Sequence, residues 1–402
     1  MNIGFKWMLL IAALTVVFSV SAEICVDAKI PAGNIVYECM AADQVYLHQE
    51  QRGSTQWWFY WAFRVCGAEG RTLTFHFTEG EPVGTRGPAV SGDKGVTWQW
   101  LNKDFTKKSF TYAFTSAETE VWFSFGMVYT ERAWERFLQR YEGSLFLESG
   151  QLATTRKGRS VQKLRAGCIA AEPRYRVLLT ARHHACEMMA SYVLEGVLEG
   201  VLAEDETGTW LRKHVEFLVI PFVDKDGVED GDQGKGRAPR DHNRDYDGTC
   251  VHVETEAIRT QIPQWACGKL IVALDLHCPW IRGEHNEWVY QVGSSDTYLW
   301  AQQQALGTLL ESVLPNSLGY RQANDLPYGK AWNSAANFSQ GVSFGRWAAG
   351  LPGVRLAGTF EIPYATANTK EVNSESARQF GRNLAGALRQ YLVRCSASGE
   401  QQ

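Results

Sequence analysis

Four side chains of this 402-residue sequence could together hold a divalent metal ion and activate water. His184 and Glu187 are three residues apart, and His277 follows a later apolar run. Two imidazoles and a carboxylate, with a coordination position left for water, are typical of a catalytic zinc site rather than a structural one. Glu361, which follows another apolar run, could serve as the general base for that water. The set predicts hydrolytic chemistry with one zinc ion.

Each part of this pattern also has a structural explanation when it is taken alone. The spacing of His184 and Glu187 is short enough to arise by chance, and His277 could be a hydrogen-bonded histidine near a core. What favours the metal is the position of these residues. All of them follow apolar runs, and in open α/β sheets ligands bind outside the carboxyl ends of the strands.

Continuous apolar runs predict the strands that would position these residues. Such runs are typical of strands that are covered on both faces, and longer stretches with helical spacing lie between them. We therefore expect an α/β domain over residues 129–395 with a mostly parallel or mixed sheet. The runs are 176–181, 215–223, 270–276 and 354–360, and the helical stretches include 131–141, 187–203 and 296–314.

The preceding part of the chain, residues 23–128, has a different pattern. Aromatic and β-branched residues alternate with polar ones, as in Thr72–Thr78, which predicts strands with one buried face. Glycine and proline separate these segments, so we expect a small antiparallel β-sandwich. Six tryptophans fall here, and core packing is the simpler explanation for them than an exposed sugar-binding platform. They are Trp57, Trp58, Trp61, Trp98, Trp100 and Trp122.

The two ends of the chain have their own signals. Lys6 precedes an apolar run from Met8 to Val20 and small residues follow, which predicts a secretory signal peptide over residues 1–22 and a secreted or periplasmic protein. A buried helix or an uncleaved anchor is the alternative. Residues 396–402 are expected to be a frayed tail.

Composition excludes several classes of function. The formal net charge is −4, so nucleic-acid binding as the main activity is not expected. No apolar stretch reaches the roughly 18 residues of a membrane span. The nine cysteines could oxidise after export, and Cys25 with Cys39 and Cys250 with Cys267 are the most closely spaced pairs.

A series of short motifs carries a family resemblance. Each is weak alone, but their order is specific. In sequence they are Trp57-Trp58-Phe59-Tyr60, Gly87 to Trp98, Gly126 to Glu131, His184-x-x-Glu187, Asp226-Gly227-Val228, Asp241-x-Asn243-Arg244, Asp275-x-His277 and Thr359-Phe360-Glu361. The chain resembles the funnelin-type zinc carboxypeptidases, most closely the cytosolic carboxypeptidase-like branch. The resemblance covers nearly all residues after 22 and implies a carboxypeptidase-like mixed-sheet catalytic domain preceded by a β-sandwich.

The resemblance implies roles for the metal-site residues. His184, Glu187 and His277 would bind one zinc ion. Glu361 would activate the zinc-bound water and then pass the proton to the leaving amine. The expected substrate is therefore a peptide with a free C-terminal carboxylate.

The resemblance also implies substrate-binding and supporting residues. Asn243 and Arg244 would grip the terminal carboxylate, for which a planar guanidinium is suited. The alternative for Arg244 is a surface ion pair with a nearby aspartate. Asp241 would orient His184, and Asp275 could act in a similar way.

The sequence departs from the family at several positions. The arginine that polarises the scissile carbonyl would fall on Gly234 by direct spacing. Arg237 is our predicted replacement, and Lys235 is the alternative. Phe338 falls near the expected place of the active-site tyrosine, so a phenol donor is not expected there.

Substrate preference depends on a pocket before the catalytic glutamate. If Arg346 points into that pocket, an acidic C-terminal residue is preferred, whereas Gly345 would leave it simply roomy. Two other functions remain as alternatives. One is a zinc amidase or deacylase acting on murein stem peptides or N-acyl amino acids, and the other is a non-catalytic glycan- or peptide-binding protein. The sequence does not give an oligomeric state.

Overall fold

The computed structural model describes residues 23–54, 59–313, 315 and 317–399. The predicted signal peptide and two of the tryptophans, Trp57 and Trp58, lie outside the described residues. Among the described residues, no helix combines the length and the apolar character needed to cross a bilayer.

Two sheets form the N-terminal region. One has the strand order β1-β4-β9-β6-β7 and the other β2-β3-β5-β8. Neighbouring strands are antiparallel except β3 and β5, which are parallel, so the predicted antiparallel arrangement is confirmed apart from that pair. The strands are β1 (Cys25–Asp27), β2 (Val36–Ala41), β3 (Gln44–His48), β4 (Ala62–Cys66), β5 (Thr72–Phe77), β6 (Ala89–Ser91), β7 (Gln99–Trp100), β8 (Ser109–Ala113) and β9 (Glu120–Ser124).

Aromatic side chains fill the space between these two sheets. The ring of Phe63 on β4 lies 5.5 Å from that of Phe75 on β5, and Phe123 on β9 lies 5.3 Å from Phe110 on β8. The described tryptophans of this region are all buried, which confirms core packing for them. They are Trp61, Trp98, Trp100 and Trp122.

A seven-stranded mixed sheet forms the centre of the second region, with the order β10-β11-β13-β12-β14-β16-β15. The four predicted apolar runs are β13, β12, β14 and β16, which lie side by side and are mutually parallel. The outer strands, β10 and β11 on one side and β15 on the other, pair antiparallel. The strands are β10 (Leu147–Thr154), β11 (Ser160–Gly167), β12 (Tyr175–Ala181), β13 (Val215–Ile220), β14 (Leu270–His277), β15 (Tyr290–Val292) and β16 (Leu356–Glu361), followed by the hairpin β17 (Thr366–Ala367) and β18 (Lys370–Glu371).

Helices cover the sheet, and two of them pack unusually closely. Glycines at the contact of α2 and α8 allow this approach, since a Cβ on Gly196 would lie 2.0 Å from the carbonyl oxygen of Arg378. The helix α8 continues to Gly399, so residues 396–399 of the segment expected to be frayed form the last turn of this helix. The helices are α1 (Glu131–Gln139), α2 (Met188–Leu202), α3 (Glu206–His214), α4 (Lys225–Asp230), α5 (Val253–Ala266), α6 (Thr297–Ser312), α7 (Phe344–Ala349) and α8 (Ser374–Gly399).

The two regions share one hydrophobic core and several polar contacts. The Trp100 indole donates a hydrogen bond to the carbonyl of Val372 at 2.7 Å. The Asn34 side chain donates to the carbonyl of Gly231 at 2.8 Å. Gly231 is the first residue of the loop that leads to the candidate site. The hydrogen bond from Asn34 therefore holds the start of that loop against the N-terminal region.

Candidate active site

The strand order brings the predicted site residues to one edge of the central sheet. Because β12, β14 and β16 are parallel, their carboxyl ends meet there. His277 is the last residue of β14, Glu361 is the last residue of β16, and the two are paired in register. His184 and Glu187 lie in the short segment between β12 and α2.

Both histidines present the same ring nitrogen to one carboxylate. Nδ1 of His184 lies 2.9 Å from Oε1 of Glu187, and Nδ1 of His277 lies 2.7 Å from Oε2. One ligand atom from each of the three residues lies within 4.8 Å of the others. The structure therefore brings together the three predicted metal ligands.

The opposite nitrogens of the two rings face aspartates. Nε2 of His184 lies 3.1 Å from Oδ1 of Asp241, and Nε2 of His277 lies 2.5 Å from Oδ2 of Asp275. A proton held on each Nε2 leaves the Nδ1 lone pair free for a metal, which is how outer carboxylates usually orient histidine ligands. Both predicted supporting residues occupy the expected places.

A second possible donor set shares His277 with the first but is saturated by hydrogen bonds. It consists of His183, Asp275 and His277. Thr180 donates to Oδ1 of Asp275 at 2.8 Å, and Nδ1 of His183 lies 2.8 Å from the same oxygen. The other nitrogen of His183 lies 2.7 Å from the Tyr246 hydroxyl. This network therefore fixes Asp275, and Asp275 in turn fixes the ring of His277.

The donor set fits a zinc ion. Nitrogen and carboxylate ligands from two histidines and one glutamate are a known catalytic zinc set. Burial lowers the pKa of His184, but Asp241 and Glu187 outweigh it and leave the pKa raised in the absence of metal. Oε2 of Glu361 is buried and accepts no hydrogen bond from the described residues, so this carboxylate is free to act on a nearby water. Burial raises the pKa of Glu361 to about 7, although Lys235 opposes the shift.

Sequence reasoning missed the residue that holds the turn carrying His184 and Glu187. Arg182 follows β12 with a φ of +63°, a left-handed conformation that non-glycine residues rarely adopt. Its guanidinium is buried and donates hydrogen bonds to the carbonyls of Ala185 and Tyr129 and to the Ser191 hydroxyl, the last two at 2.9 Å and 3.0 Å. These bonds offset the local strain and fix the segment between β12 and α2.

The loop after α4 explains the missing family arginine. Gly234, the position given by direct spacing, has a φ of +81°, and a Cβ there would lie 2.3 Å from the backbone nitrogen of Ala185. No side chain fits at that position. The next residue, Lys235, points into the site instead: its ammonium lies 2.8 Å from Oε1 of Glu187 and donates to the carbonyl of Cys278 at 2.8 Å.

The structure pairs Arg237 with buried carboxylates, so its predicted role on the substrate stays without support here. Its guanidinium binds Asp224, with Nε 3.1 Å from Oδ2, and Asp232, with Nη1 3.0 Å from Oδ2. Both carboxylates are buried and would otherwise lack a cation. The electrostatic gain of pairing them explains why this arginine is structural.

A cavity of about 370 Å³ opens beside the candidate metal site. His184, His277 and Glu361 lie in its wall together with Asn243 and Arg244. Among the described residues, no carboxylate lies within 4.0 Å of the Arg244 guanidinium, so the alternative of a surface ion pair is excluded there. Burial lowers the pKa of Arg244. Its guanidinium donates two hydrogen bonds to backbone carbonyls, that of Asn243 at 2.7 Å and that of Asn337 at 3.3 Å.

The far wall of the cavity carries the residues considered for specificity. Gly345 and Arg346 both line it. Phe338 lies between two cations, 5.4 Å from the Arg244 guanidinium carbon and 5.6 Å from that of Arg346. Tyr328 also lines the cavity and brings a phenol that the sequence analysis did not identify.

The cysteines contribute no disulfide among the described residues, since all nine are free thiols. Cys186 and Cys278, which flank the site, are buried and pack against it. On β1 and β4, Cys25 lies opposite Cys66 rather than beside Cys39. The two spacing-based pairs are therefore not formed in this structure.

Comparison with known proteins gives one family match. Residues 132–261 match the Peptidase_M14 family, described as zinc carboxypeptidase. This segment runs from α1 into α5, and therefore includes His184, Glu187 and Arg244.

Relatives of known sequence match about half of the chain. An uncharacterized protein of Zymomonas mobilis is 26% identical over 211 residues, which are 50% of this chain and 54% of that protein. Human cytosolic carboxypeptidase 1 is 24% identical over 217 residues, which are 50% of this chain and 16% of that protein. The matched region thus spans about half or less of the length of these relatives.

Solved structures match nearly the whole chain. A metallo-carboxypeptidase from Burkholderia cenocepacia has a TM-score of 0.76 at 20% identity and covers 92% of this chain and 100% of its own. A metallo-carboxypeptidase from Pseudomonas aeruginosa, in complex with (2-guanidinoethylmercapto)succinic acid, has a TM-score of 0.72 at 17% identity, with 92% and 99% covered. At these identities the likeness establishes the fold, including the sheets that precede the mixed sheet.

Proposed function

We propose that this chain, whose residues 132–261 match the Peptidase_M14 zinc carboxypeptidase family, is a metallocarboxypeptidase that hydrolyses the C-terminal peptide bond of peptides. One observation carries the proposal. Two residues of the donor set, His184 and His277, line one cavity together with the buried Glu361 and with Arg244, which has no carboxylate partner among the described residues. Such a cavity can hold a peptide end with its carboxylate on the guanidinium and its last amide bond at the metal site.

Zinc would be held by His184, Glu187 and His277. When bound there it would polarise the scissile carbonyl and lower the pKa of a coordinated water to about 7. The chain's own contribution to proton transfer is Glu361. Its free Oε2 can accept the proton of the attacking water and then donate it to the leaving amine.

Lys235 is proposed to stabilise the developing negative charge on the carbonyl oxygen. Its ammonium lies at the metal site, where the family has an arginine, whereas Arg237 of the same loop is paired with Asp224. A preorganised cation in a site shielded from water acts strongly on such charge. This role replaces the one predicted for Arg237.

Arg244 and Asn243 are proposed to bind the terminal carboxylate. The amide oxygen of Asn243 accepts a hydrogen bond from the backbone N–H of Phe344 at 2.9 Å, which fixes its side chain at the cavity wall. The planar guanidinium of Arg244, beside Asn243, can donate two parallel N–H···O hydrogen bonds to one carboxylate. The exopeptidase proposal depends on this pair.

A matched pair of peptides tests the proposal. Peptides with free and with amidated C-termini should differ strongly, with the free form hydrolysed and the amidated form nearly inert. Equal cleavage of both would contradict a carboxypeptidase and favour the alternative, a zinc amidase or deacylase that needs no carboxylate grip. Addition of a chelator should abolish hydrolysis in either case, and zinc should restore it.

The preferred substrate is proposed to end in an acidic residue. Arg346 lines the cavity together with Arg244, so a second carboxylate on the terminal residue would find a cation there. Burial of the described tryptophans of the N-terminal region removes them as an exposed binding platform, which weakens the non-catalytic alternative.

Export is proposed from the first 22 residues alone. The basic start, the apolar run and the small residues near Ala22 are the supporting features. N-terminal sequencing of the protein purified from its native host tests this, because cleavage would leave Glu23 as the first residue.

A further inference from the structure

Two cysteines lie directly opposite each other in the N-terminal region. Cys25 on the edge strand β1 and Cys66 on β4 are cross-strand partners, and the same register pairs Asp27 with Arg64. Side chains at opposite positions of an antiparallel pair lie on the same face of the sheet, with their Cβ atoms about 4.5–5.5 Å apart. Of the nine cysteines in the sequence, only these two are partners of each other in the described sheets.

The backbone of this pair suits a disulfide bond. Opposite residues of antiparallel strands have Cα atoms about 4.5 or about 5.5 Å apart, and both values fall within the range of roughly 4.4–6.8 Å that disulfides span. An oxidant can reach both thiols, since Cys25 is exposed and Cys66 is half-buried. Cys39, the next cysteine after Cys25, lies on β2 in the other sheet, opposite Tyr46. The register therefore favours Cys66 as the partner of Cys25.

Each thiol contacts a carboxylate in the reduced protein. Sγ of Cys25 donates to Oδ2 of Asp27 at 3.3 Å, and Sγ of Cys66 donates to Oε2 of Glu120 at 3.7 Å. Loss of the two thiol protons leaves neither carboxylate alone, because Arg64 lies between them. Its Nε is 2.9 Å from Oδ1 of Asp27, and its Nη1 is 3.6 Å from Oε2 of Glu120. A disulfide would therefore keep both carboxylates paired with a cation.

The two thiols are suited to a lasting structural bond rather than to a rapid redox cycle. The hydrogen bond to Asp27 raises the pKa of Cys25, and burial raises the pKa of Cys66. Catalytic and redox-sensing cysteines usually have a lowered pKa, because the thiolate is the reactive form.

We infer that Cys25 and Cys66 form a disulfide bond that fastens β1 to β4 when the protein meets a disulfide oxidant. The oxidant is a small disulfide, such as oxidised glutathione, or the active-site disulfide of an oxidoreductase, and compartments outside the cytosol supply both. Two S–H bonds of the protein break and one S–S bond forms between the Sγ atoms. The S–S bond of the oxidant takes up the two electrons and the two protons and becomes two thiols.

This bond would secure a short strand whose following segment contacts the loop of the candidate site. The strand β1 has three residues and lies at the edge of its sheet, where it pairs with β4 alone. The backbone N–H of Ala32 donates to the carbonyl of Glu229 at 3.2 Å, and a Cβ on Gly231 would lie 2.4 Å from the carbonyl oxygen of Ala32. Gly231 begins the loop that carries Lys235, so a fastened β1 holds the segment on which this loop packs.

Disulfide mapping of the full chain tests the inference. The reduced protein is brought to constant composition with reduced glutathione, oxidised glutathione and a thiol–disulfide oxidoreductase, and it is then unfolded, alkylated without reduction and digested with trypsin. Cleavage after Lys29, Arg64 and Arg71 should give peptide 65–71 joined to the peptide that ends at Lys29. Cys25→Ser should leave Cys66 alkylated, whereas Cys39→Ser, a change at another exposed cysteine of the same region, should keep the joined peptides.

Three outcomes of the mapping would overturn the inference. They are alkylation of both Cys25 and Cys66, separate capping of the two by glutathione, and linkage of either one to a different cysteine. The result on the wild-type protein needs no substitution, so it decides the question even if a variant does not fold.

Thermal unfolding tests the fastening role of the bond. Oxidised wild-type protein should unfold roughly 5 °C higher than Cys25→Ser under the same conditions, because the bond closes a loop of about 40 residues. Under reducing conditions the two proteins should unfold at the same temperature. A difference that persists after reduction would belong to the serine itself and would overturn this role.

Discussion

The ammonium of Lys235 lies 2.8 Å from Oε1 of Glu187, inside the set of residues that would bind zinc. This contact follows from the backbone of the preceding residue. Gly234 packs so closely on the segment of His184 that no side chain fits there, and the chain turns Lys235 into the site instead. By direct spacing, the family's arginine would fall on Gly234. In this chain the next residue, Lys235, places its charged group in the site.

The first prediction concerns this lysine. Lys235→Met should lower kcat about 10²- to 10³-fold with a small change in KM, because one preorganised donor to the developing oxyanion is lost. Lys235→Arg should retain more activity than Lys235→Met. Steady-state kinetics with zinc analysis separates this effect from loss of metal, and Lys103→Met, a change at an exposed lysine of the N-terminal region, serves as the control. Unchanged kcat in Lys235→Met would reject the role.

The second prediction concerns the general base. Glu361→Gln should reduce kcat at least about 10²-fold, because the amide cannot accept the proton of the attacking water. The zinc content should remain that of the wild-type protein, since Glu361 is not one of the proposed ligands. Glu142→Gln, at an exposed glutamate, should leave kcat unchanged. Activity in Glu361→Gln near the wild-type level would exclude this carboxylate as the base.

The parts of the site that could be predicted are those fixed by strand order. Continuous apolar runs located β12, β13, β14 and β16, and each run ends in polar residues. Because these strands are parallel, the residues that end them must meet at one edge. His277 and Glu361 are therefore paired neighbours even though 84 positions of sequence, from 277 to 361, separate them.

The parts that could not be predicted depend on loop geometry and on edge strands. Whether Lys235 or Arg237 faces the site is decided by the left-handed backbone at Gly234 and by two buried aspartates that attract the arginine. Neither fact is visible in spacing. The antiparallel strands β10 and β11 were also missed, because polar residues interrupt both and neither forms a continuous apolar run.

The third prediction concerns stability and its pH dependence. Arg237→Gln should lower the free energy of unfolding by about 3 kcal/mol at pH 7, because it leaves the buried carboxylates of Asp224 and Asp232 without their cation. Burial raises the pKa of Asp224, but His242 and Arg237 outweigh it and leave the pKa lowered. A lowered folded-state pKa gives stability that is present above the unfolded value of about 3.9 and lost as the pH falls through the folded value.

The difference between wild-type protein and Arg237→Gln should therefore be largest near neutral pH and shrink below about pH 4. Urea unfolding followed by circular dichroism across this range measures it. Arg132→Gln, at an exposed arginine, is the matched control. A stable Arg237→Gln protein with a specific loss of kcat would instead support a catalytic role for Arg237, as first predicted, over the one we propose for Lys235.

The fourth prediction concerns the aspartate behind His184. Asp241→Asn should weaken zinc binding about 10- to 100-fold, because the amide no longer fixes the ring and its tautomer as the carboxylate does. The Nε2–Oδ1 distance of 3.1 Å and the hydrogen bond of 2.7 Å from the Asn243 backbone nitrogen show that this carboxylate joins the metal ligand to the substrate-binding turn. Competition with a chromogenic chelator measures the affinity. Asp104→Asn, at an exposed aspartate, should bind zinc as the wild-type protein does.

The fifth prediction concerns the C-terminal residue of the substrate. Arg346 is exposed at the cavity wall, with its guanidinium carbon 5.6 Å from the ring of Phe338, and it can reach a side chain that enters between them. A single charge pair that remains partly solvated is worth up to about 1 kcal/mol, and roughly tenfold selectivity corresponds to 1.4 kcal/mol. We therefore expect Arg346→Gln to lower kcat/KM about 3- to 10-fold for a peptide ending in glutamate, mainly through KM, and to leave a peptide ending in leucine unchanged.

The charge origin of this preference can be separated from the size of the cavity. Arg346→Glu should reverse the preference towards a C-terminal lysine, whereas a preference set by the space beside Gly345 would persist in both variants. Added salt should weaken the glutamate preference of the wild-type protein, because exposed charges are screened within about 8 Å at physiological ionic strength. Arg321→Gln, at an exposed arginine away from the cavity, should keep the wild-type ratio of the two peptides. An unchanged ratio in Arg346→Gln would assign the choice of terminal residue to the shape of the cavity.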